Sequence, residues 1–492
     1  MEWTMAHPGM AEAAGKVIAK LIDNGYEAYW VGGCIRDELL RRPVHDMDIA
    51  TSAVPEQVMT LFPRCIPTGL QHGTITVLQD GENFEVTTYR TESGYADYRR
   101  PEQVVYVTDM KEDLRRRDFT INAMARSIAG GLIDPFEGAD DLGRRVIRCV
   151  GDAEERFEED ALRMLRCVRF ASVLDFSIAK NTWRGLLRQR DKLAYIAVER
   201  LRAELERIVE GPHPRRGLGL LVRSGLLPRG KAPFPWTGDD LAAAAALSSG
   251  IGELESARLR WALLLHALGQ SAVEADELLR AWTFSGATRS AVAGVLRVRD
   301  AWTAALDEVP PGSPGGTEKL RRRWIAAVLA HGTEAACGWL ALLAQLPAGA
   351  PGQPGASVSA YSPDAPDAPG IDAVKPAPTP VASGLDADTP ARTPGEPDID
   401  TVALACTPDA DTPVSENLLS LAHKWMEQMP VNSLADLAVD GKELTKSLDR
   451  RPGPWLGALL HELLLAVAAG DIINDRQLLL EEAKRMVGHE QL

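Results

Sequence analysis

The amino-acid sequence predicts an α/β domain at the N-terminus followed by a long all-helical region. From Ala11 to about Arg148, short runs of β-branched and aromatic residues alternate with helical stretches and turn residues. From Asp152 onward, apolar residues recur at helical spacing and strand-like runs are almost absent. No internal repeat at a fixed period is evident. We therefore expect one α/β unit and several helical units in a chain of 492 residues.

Strands and helices can be placed from the period of their apolar residues. The strand-like runs of the α/β region are Glu27–Val31, Asp48–Thr51, Gly73–Gln79, Phe84–Thr88 and Val104–Val107. The helical runs before residue 347 are Glu154–Leu174, Thr182–Arg190, Val198–Glu210, Glu255–Leu268, Ala272–Trp282, Thr288–Leu306, Glu318–Ala330 and Glu334–Leu346. Those after residue 413 are Glu416–Gln428, Lys442–Leu448, Leu456–Ala469 and Asp475–Val487.

The charge of the chain is unevenly distributed. There are 54 Lys and Arg residues against 69 Asp and Glu residues, a formal net charge of −15. Residues 347–413 contain 14 of the 32 prolines, a net charge of −8 and few large apolar side chains, so we expect a disordered acidic linker. Residues 144–231 carry 20 basic against 12 acidic side chains. The acidic total therefore does not exclude a nucleic-acid-binding protein, because a basic region follows the α/β unit.

The composition also favours a protein of the reducing cytoplasm. Six cysteines are scattered without a C-x-x-C pair, which argues against a disulfide framework and a zinc ribbon. The longest apolar runs are far shorter than the ~20 residues that span a bilayer. The N-terminal residues include acidic side chains and lack an uninterrupted apolar segment, so no signal peptide is expected.

Two glycines and two aspartates form the most informative stretch. Gly32 and Gly33 follow a strand-like run and precede a helix-like one, where glycine lets a ligand approach and helix N–H groups face a phosphate. Asp46 and Asp48 follow, and on a strand this spacing puts both carboxylates on one face. Such a pair suits Mg²⁺, and Glu85 offers a third carboxylate. The alternatives are an exposed turn for the aspartates and the solvent side of a strand for Glu85.

Two further stretches combine arginines with carboxylates. Three arginines, of which Arg117 is the last, precede Asp118 and Asn122, and this combination suits phosphate oxygens and ribose hydroxyls. The alternative is a capped helix N-terminus with solvated arginines. On the amphipathic helix that follows, Asp160 and Arg163 are three residues apart, so both side chains can project from one face. The alternative there is an ordinary ion pair within the helix.

Taken in order, these stretches resemble the signature motifs of a known family. The segments GGCIRDELLRRPVHDMDIAT, RRDFTINAMA and RFEEDALRMLRCVRFA are similar to those of class II tRNA nucleotidyltransferases, the CCA-adding enzymes, and of related bacterial poly(A) polymerases. The segment AVDGKEL and the helical sequence after it resemble the C-terminal module of Gram-positive-type members. The resemblance covers residues 11–345 and 415–487 and leaves out the acidic linker.

The resemblance implies a fold and a set of domain boundaries. The implied fold is an α/β nucleotidyltransferase head with a mixed or antiparallel sheet, followed by all-α neck, body and tail domains. The corresponding ranges are the head 1–148, the neck 149–213 for base recognition, the body 214–346 for RNA binding, the disordered linker 347–413 and the tail 414–492 for tRNA binding.

The resemblance also implies roles for individual residues. Asp46 and Asp48 would hold two Mg²⁺ ions, with Glu85 as the third catalytic carboxylate. The residues implied to bind the nucleotide are Gly32, Gly33, Arg36, Arg117, Asp118, Asn122, Asp160, Arg163, Arg166 and Arg169. Those implied to support base recognition are Glu159, Glu199 and Arg200. The residues of an implied flexible loop are Asp97, Arg99 and Arg100.

The implied activity is the addition of C, C and A to the 3′ end of tRNA from CTP and ATP. Asp160 would accept a hydrogen bond from the exocyclic amine of cytosine or adenine while Arg163 donates to a ring acceptor, an arrangement that leaves uracil and guanine unsatisfied. The flexible loop argues against CC-only addition. Poly(A) or A-only addition is one alternative, and a non-catalytic RNA-binding homologue is another.

Overall fold

The computed structural model describes residues 3–96, 100–309, 314–347, 349–350 and 413–489. The linker predicted at 347–413 lies outside these residues except at its two ends, and so do Asp97 and Arg99 of the predicted flexible loop. None of the helices in the described ranges combines the length and apolar character needed to cross a membrane.

The head contains a seven-stranded mixed sheet. The strands of the head are β1 (Ala28–Val31), β2 (Ile49–Thr51), β3 (Cys65–Gly69), β4 (Thr74–Gln79), β5 (Glu82–Thr88), β6 (Arg90–Ala96), β7 (Arg100–Tyr106), β8 (Ala125–Arg126) and β9 (Leu132–Ile133). The sheet has the order β3-β4-β5-β2-β1-β8-β9, in which β2 and β5 are parallel and the other neighbours antiparallel. The expected mixed sheet is therefore confirmed.

Helices pack on this sheet and connect its strands. The helices of the head are α1 (Pro8–Asp23), α2 (Gly33–Leu39), α3 (Pro55–Leu61), α4 (Met110–Arg115) and α5 (Gly138–Gly143). In α1 the apolar residues recur every three or four positions, so they form one buried face against the sheet. The N–H of Val31 donates to the carbonyl of Asp48 at 3.0 Å. The turn that leads from β1 into α2 therefore lies beside Asp48.

Strands β6 and β7 pair with each other outside the main sheet. The sequence predicted one strand here, Val104–Val107, after a flexible loop. The structure has a hairpin instead, with Arg90 opposite Tyr106 at its base. The first strand escaped prediction because charged and small residues interrupt its β-branched pattern.

The neck begins where the head sheet ends. The neck consists of α6 (Ala153–Glu159), α7 (Leu162–Val173), α8 (Lys180–Gln189) and α9 (Val198–Val209). Two short strands, β10 (Val146–Ile147) and β11 (Ser177–Ile178), pair in parallel and tie the end of the head to the neck. The single helix predicted over Glu154–Leu174 is wrong, because Asp160 has extended backbone angles. The Asp160 carboxylate accepts a hydrogen bond from Leu162 N at 3.0 Å and so helps to start α7.

The body and tail consist mainly of packed helices. The body contains α10 (Pro214–Ser224), α11 (Gly238–Leu247), α12 (Ala257–Ala267), α13 (Ala272–Ala281), α14 (Gly286–Glu308), α15 (Gly316–His331) and α16 (Thr333–Leu343). The tail contains α17 (Pro413–Glu427), α18 (Gly441–Ser447), α19 (Pro454–Ala468) and α20 (Arg476–His489). Helices α10 and α11 were not predicted. In α10 a proline and two glycines mask a helical period that the structure shows, and in α11 a run of alanines leaves no clear apolar period.

The tail packs directly on the body. Trp324 of α15 is buried, and its Nε1 donates to the carbonyl of Ala422 at 2.9 Å. Arg321, on the same helix, donates from Nη2 to the carbonyl of Ala469 at the end of α19, at 2.6 Å. A continuous cluster of buried apolar side chains runs from the head through to the tail. The body and tail therefore form one packed unit.

Candidate active site

Three predicted carboxylates lie on or beside two neighbouring central strands of the head sheet, β2 and β5. Asp46 and Asp48 precede β2 and flank Met47, which is 2% exposed, so both carboxylates point away from the core as the alternation predicted. Glu85 is exposed on β5, one residue before the position that pairs with Ile49 of β2. Burial raises the pKa of Asp48 to about 6, and the negative charges of Asp46 and Glu85 add to the rise. The three carboxylates therefore lie within electrostatic reach of one another.

This donor set fits a divalent cation. Asp48 lies beside two further carboxylates whose charges raise its pKa, and Mg²⁺ is commonly bound by one or two carboxylates together with water and substrate phosphates. In the part of the chain that the structure describes, no three His, Cys, Asp or Glu side chains form a cluster that could hold a metal ion. Asp46 and Asp48 would therefore supply only part of a coordination sphere.

The turn between β1 and α2 brings the backbone close to two arginines. Gly32 has a φ of +75°, a conformation that residues with a side chain rarely adopt. A Cβ atom at this position would lie 2.9 Å from Nη1 of Arg117, so the arginine occupies the space that the glycine leaves. On α2, Arg36 donates from Nη1 to Oδ1 of Asn122 at 2.6 Å. Residues from two separate predicted motifs thus meet at one corner of the head.

A buried ion pair joins this corner to the neck. Asp118 is 8% exposed, and its Oδ2 accepts hydrogen bonds from Nε and Nη2 of Arg166 on α7 at 2.9 and 2.6 Å. Its Oδ1 accepts from Nδ2 of Asn122 at 3.0 Å and from Phe119 N at 2.8 Å. Burial alone would raise the pKa of Asp118, but the Arg166 charge and these hydrogen bonds outweigh it and hold the pKa well below its ordinary value. Asp118 is therefore an ionised acceptor of four protein hydrogen bonds.

A second buried carboxylate, which the sequence analysis missed, holds two arginines. Asp113 of α4 is 1% exposed, and its Oδ1 accepts from Nε and Nη2 of Arg116 at 3.0 and 2.7 Å. Its Oδ2 accepts from Nη2 of Arg117 at 3.3 Å. Burial would raise the pKa of Asp113, but the two arginine charges lower it below its ordinary value. The available signal was the helical spacing of Asp113, three and four residues before these arginines.

The predicted base-recognition pair lies at the break between α6 and α7. Oδ2 of Asp160 accepts a hydrogen bond from Nη2 of Arg200 at 3.1 Å. Arg163 donates from Nη1 to Oε2 of Glu159 at 2.7 Å and from Nη2 to a backbone carbonyl at 3.0 Å. Glu159 and Arg200 thus contact the pair directly. Glu199 is exposed and has no hydrogen bond or ion pair with the described residues, so its predicted contact with this turn is not found.

These groups line a cavity of about 620 Å³ between the head and the neck. The predicted residues on its wall are Gly32, Gly33, Arg36, Asp46, Asp48, Glu85, Arg117, Asp118, Asn122, Asp160, Arg163, Arg166 and Arg200. Arg116, one of the three arginines of the predicted phosphate-binding run, is also on the wall. The wall residues that the sequence analysis did not select are Val31, Thr74, Thr87, Arg90, Leu162 and Phe170. Thr87 could have been predicted, because residues two apart on a strand share a face and Glu85 was already selected. No local pattern in the sequence indicates Phe170.

Arg169 was predicted to bind the nucleotide, and this role stays a prediction. The residue is not on the cavity wall, because its Nε donates to Oε2 of the buried Glu204 at 2.6 Å. The pairing turns Arg169 toward α9. Of the predicted flexible loop, Arg100 lies on β7, and only its backbone is described.

Known families match separate parts of the chain. Residues 28–148 match the family described as Poly A polymerase head domain. Residues 175–229 match the family described as probable RNA and SrmB-binding site of polymerase A, and residues 403–483 match tRNA nucleotidyltransferase domain 2, putative. A CCA-adding enzyme of Geobacillus stearothermophilus is 43% identical over 64% of this chain and 83% of that protein. A CCA-adding enzyme of Limosilactobacillus reuteri strain DSM 20016 is 34% identical over 97% of this chain and 98% of that protein.

Solved structures agree with these matches. The crystal structure of the Bacillus stearothermophilus CCA-adding enzyme in complex with CTP has a TM-score of 0.71 to this chain and 30% identity, over 99% of each chain. A Thermotoga maritima CCA-adding enzyme complexed with tRNA shares the fold, with a TM-score of 0.59 at 19% identity over 98% of this chain and 97% of that one. The resemblance seen in the sequence motifs is therefore confirmed. This chain belongs to the CCA-adding enzymes, the tRNA nucleotidyltransferases, and is of the Gram-positive bacterial type.

Proposed function

We propose that this protein adds C, C and A to the 3′ end of tRNA from CTP and ATP, releasing pyrophosphate, in the cytoplasm. The observation that carries the proposal is the cavity between head and neck, where carboxylates face a wall of arginines and the Asp160–Arg163 pair. The relatives support it, because they are CCA-adding enzymes and one was crystallised with CTP. The cysteines of the described residues are free thiols, which fits a reducing compartment.

The proposed reaction is an in-line phosphoryl transfer. The 3′-hydroxyl oxygen of the tRNA attacks the α-phosphorus of the nucleotide, the bond from this phosphorus to its bridging oxygen breaks, and pyrophosphate leaves. Asp46 and Asp48 would hold two Mg²⁺ ions, which when bound stabilise charge on the attacking and leaving oxygens. Glu85 is exposed on the same wall and would be the third catalytic carboxylate, for which we propose acceptance of the proton of the hydroxyl group.

The arginines of the wall would bind the triphosphate. Arg36, Arg117 and Arg166 all line the cavity, and guanidinium groups form strong paired hydrogen bonds with phosphate oxygens. Asn122 would contact the ribose. Asp118 already accepts hydrogen bonds from Arg166 and Asn122, so its contribution would be to orient these two side chains rather than to bind the sugar alone.

The base would be selected by Asp160 and Arg163 without a nucleic-acid template. A carboxylate accepts from the N4 amine of cytosine or the N6 amine of adenine, and a guanidinium donates to a ring acceptor. Uracil and guanine present a carbonyl oxygen where the carboxylate needs a donor, and such an unsatisfied buried acceptor costs about 1–3 kcal/mol. Arg200 and Glu159 support this selection because each contacts one member of the pair.

The tRNA would lie along the neck and body, held mainly through its phosphate backbone. Residues 144–231 carry the basic excess of the chain, and residues 175–229 match a family described as RNA-binding. Duplex RNA is read by shape and backbone contacts, so we expect affinity for tRNA to fall steeply as salt rises. The tail, residues 414–492, would extend the same surface. A dissociation constant that is the same at low and high salt would contradict this arrangement.

The proposal is tested by extending a tRNA transcript that ends before CCA, in Mg²⁺, with CTP alone, ATP alone and both. Two nucleotides from CTP and a third only after ATP is added would establish CCA addition. A long ladder from ATP alone would establish the poly(A) alternative instead. No extension in any mixture would favour a non-catalytic RNA-binding protein. Asp46→Asn should abolish extension, whereas Asp23→Asn, on the exposed end of α1, should match the wild type.

A further inference from the structure

Phe170 of α7 lies where the side chains of three arginines meet. Its ring is 5% exposed and lines the nucleotide cavity. The guanidinium carbons of Arg169, Arg36 and Arg166 lie 4.1, 5.1 and 5.5 Å from the ring centroid. All three distances are within the ~6 Å over which an aromatic ring attracts a cation. Phe170 thus contacts two arginines of the cavity wall and one that is buried beside it.

Each of these arginines is also paired with a carboxylate. The pairs are Arg36–Asp37 at 2.8 Å, Arg166–Asp118 at 2.6 Å and Arg169–Glu204 at 2.6 Å. Three like charges around one ring would otherwise repel one another. Because Arg169 and Glu204 are both largely buried, they hold the ring from the neck side and leave the cavity side to the other two arginines.

The contact between Phe170 and Arg36 crosses the boundary between neck and head. The Phe119 ring of the head also packs edge-on against Phe170, with centroids 5.7 Å apart and an interplanar angle of 79°. We propose that Phe170 is a positioning residue for the nucleotide triphosphate. It holds the guanidinium groups of Arg36 and Arg166 in the directions from which they bind phosphate, and so serves CTP and ATP alike. This inference rests on the proposed nucleotide transfer.

Removal of the ring should weaken nucleotide binding and leave the other steps intact. An arginine that is not held in place loses more side-chain freedom when it binds phosphate. For Phe170→Leu we expect the KM values for CTP and for ATP to rise together by about tenfold, which corresponds to about 1.4 kcal/mol and is typical of a desolvated cation–π contact. The KM for tRNA should stay the same, and kcat should change by less than about twofold.

Two further variants separate ring chemistry from packing. Phe170→Tyr keeps the ring and should restore KM to within about twofold of the wild type. Phe176→Leu is the matched control, because Phe176 is equally buried on the neck and its ring faces Arg145 at 5.9 Å, away from the nucleotide cavity. Melting temperatures of all variants show whether the two leucine variants lose similar stability. Equal KM values in Phe170→Leu and Phe176→Leu, or no rescue by tyrosine, would overturn the proposal.

A double-mutant cycle keeps the proposal testable if Phe170→Leu folds poorly. If Phe170 acts through Arg36, the leucine substitution should change KM less in an Arg36→Gln background than in the wild type. Additive effects of the two substitutions on KM would contradict the proposal.

Binding of inorganic tripolyphosphate, measured by titration without turnover, tests the role of Phe170 separately from the proposed nucleotide transfer. If the wild type adds no nucleotide, the proposed function fails, yet weaker tripolyphosphate binding by Phe170→Leu than by Phe176→Leu still supports the role of Phe170.

Discussion

Asp118 of the head and Arg166 of the neck form an ion pair in which two guanidinium nitrogens donate to one carboxylate oxygen, at 2.9 and 2.6 Å. The pair joins the two units that enclose the cavity. A buried ion pair adds little net stability over an apolar pair, but the loss of one partner leaves a buried charge without compensation. The geometry of the cavity therefore depends on the ionised form of Asp118.

Asp118→Asn should destabilise the protein in a way that depends on pH. The loss of the charge leaves Arg166 unpaired, so we expect the free energy of unfolding near pH 7 to fall by about 3 kcal/mol. The pKa of Asp118 is lower in the folded than in the unfolded chain, so its contribution is complete above the ordinary pKa of 3.8 and is lost as pH falls further. The difference between wild type and variant should therefore narrow below about pH 4.

Urea unfolding at several pH values measures this difference. Asp175→Asn is the comparison, because Asp175 and Arg145 form an ion pair at 3.2 Å whose side chains are largely exposed. An exposed pair contributes about 0–1 kcal/mol, so this variant should stay close to the wild type. If the free energies of unfolding of the wild type and Asp118→Asn differed by the same amount from pH 7 to pH 3, ionised Asp118 would not be the source of this stability.

Asp113→Asn should impair nucleotide binding although Asp113 is not on the cavity wall. The carboxylate holds Arg116 and Arg117, which do line the wall, so we expect KM for CTP and ATP to rise about tenfold. Steady-state extension of a tRNA transcript measures the effect. Glu112→Gln is the matched control, since Glu112 is the preceding residue of α4 and pairs with the exposed Arg115 at 3.3 Å. Similar KM values for the two variants would count against this role.

Gly32→Ala should reduce enzymatic activity more than the same change at another glycine of positive φ. Gly25 has a φ of +85°, and a Cβ at this position would meet no atom within 4 Å, so Gly25→Ala should show backbone strain alone, about 1 kcal/mol. At Gly32 the new Cβ would also meet Arg117 at 2.9 Å. We expect a comparable loss of stability for both variants and a large loss of kcat/KM for Gly32→Ala only. Equal activities would show that Arg117 moves aside without consequence.

Local patterns predicted which side chains beside β2 face away from the core, but not the break in the neck helix. The alternation of Asp46, buried Met47 and Asp48 needs only the period of an extended strand, so it could be predicted from the sequence. The stop at Asp160 could not, because apolar residues keep the helical period on both sides of it. At this break the Asp160 carboxylate accepts a hydrogen bond from Arg200 of α9, a partner 40 residues away that no local pattern reveals.

Tertiary packing decides which charged residues are buried, and the sequence alone did not show this. Asp113 stands in a run of charged residues that is typical of a solvated helix, yet it is buried where α4 packs against β6. Arg169 continues the three-residue spacing of Arg163 and Arg166 on α7. Unlike them it is not on the cavity wall, and it pairs with Glu204 instead. Phe170 gains its role from Arg36, which is far away in the chain. Such contacts follow from the fold rather than from any local period.

Asp160→Asn should shift base selection toward uracil. Oδ1 of Asp160 accepts from Leu162 N, so an asparagine that keeps this hydrogen bond turns its amide nitrogen toward the cavity and loses the hydrogen bond that Oδ2 accepts from Arg200. That nitrogen is a donor, which matches O4 of uracil and opposes the N4 amine of cytosine. We expect the ratio of kcat/KM for UTP to that for CTP to rise by about tenfold or more, on a tRNA transcript that ends before CCA.

The control for base selection is Glu158→Gln. Glu158 is an exposed carboxylate two residues before Asp160, and it pairs with Lys192 on the outside of the neck. Glu158→Gln should have the same ratio of kcat/KM for UTP to kcat/KM for CTP as the wild type, because this side chain is not on the cavity wall. A general loss of activity in Asp160→Asn with no change in that ratio would mean that Asp160 shapes the turn between α6 and α7 and does not read the base. A raised ratio in Asp160→Asn alone would support recognition of the base by the carboxylate itself.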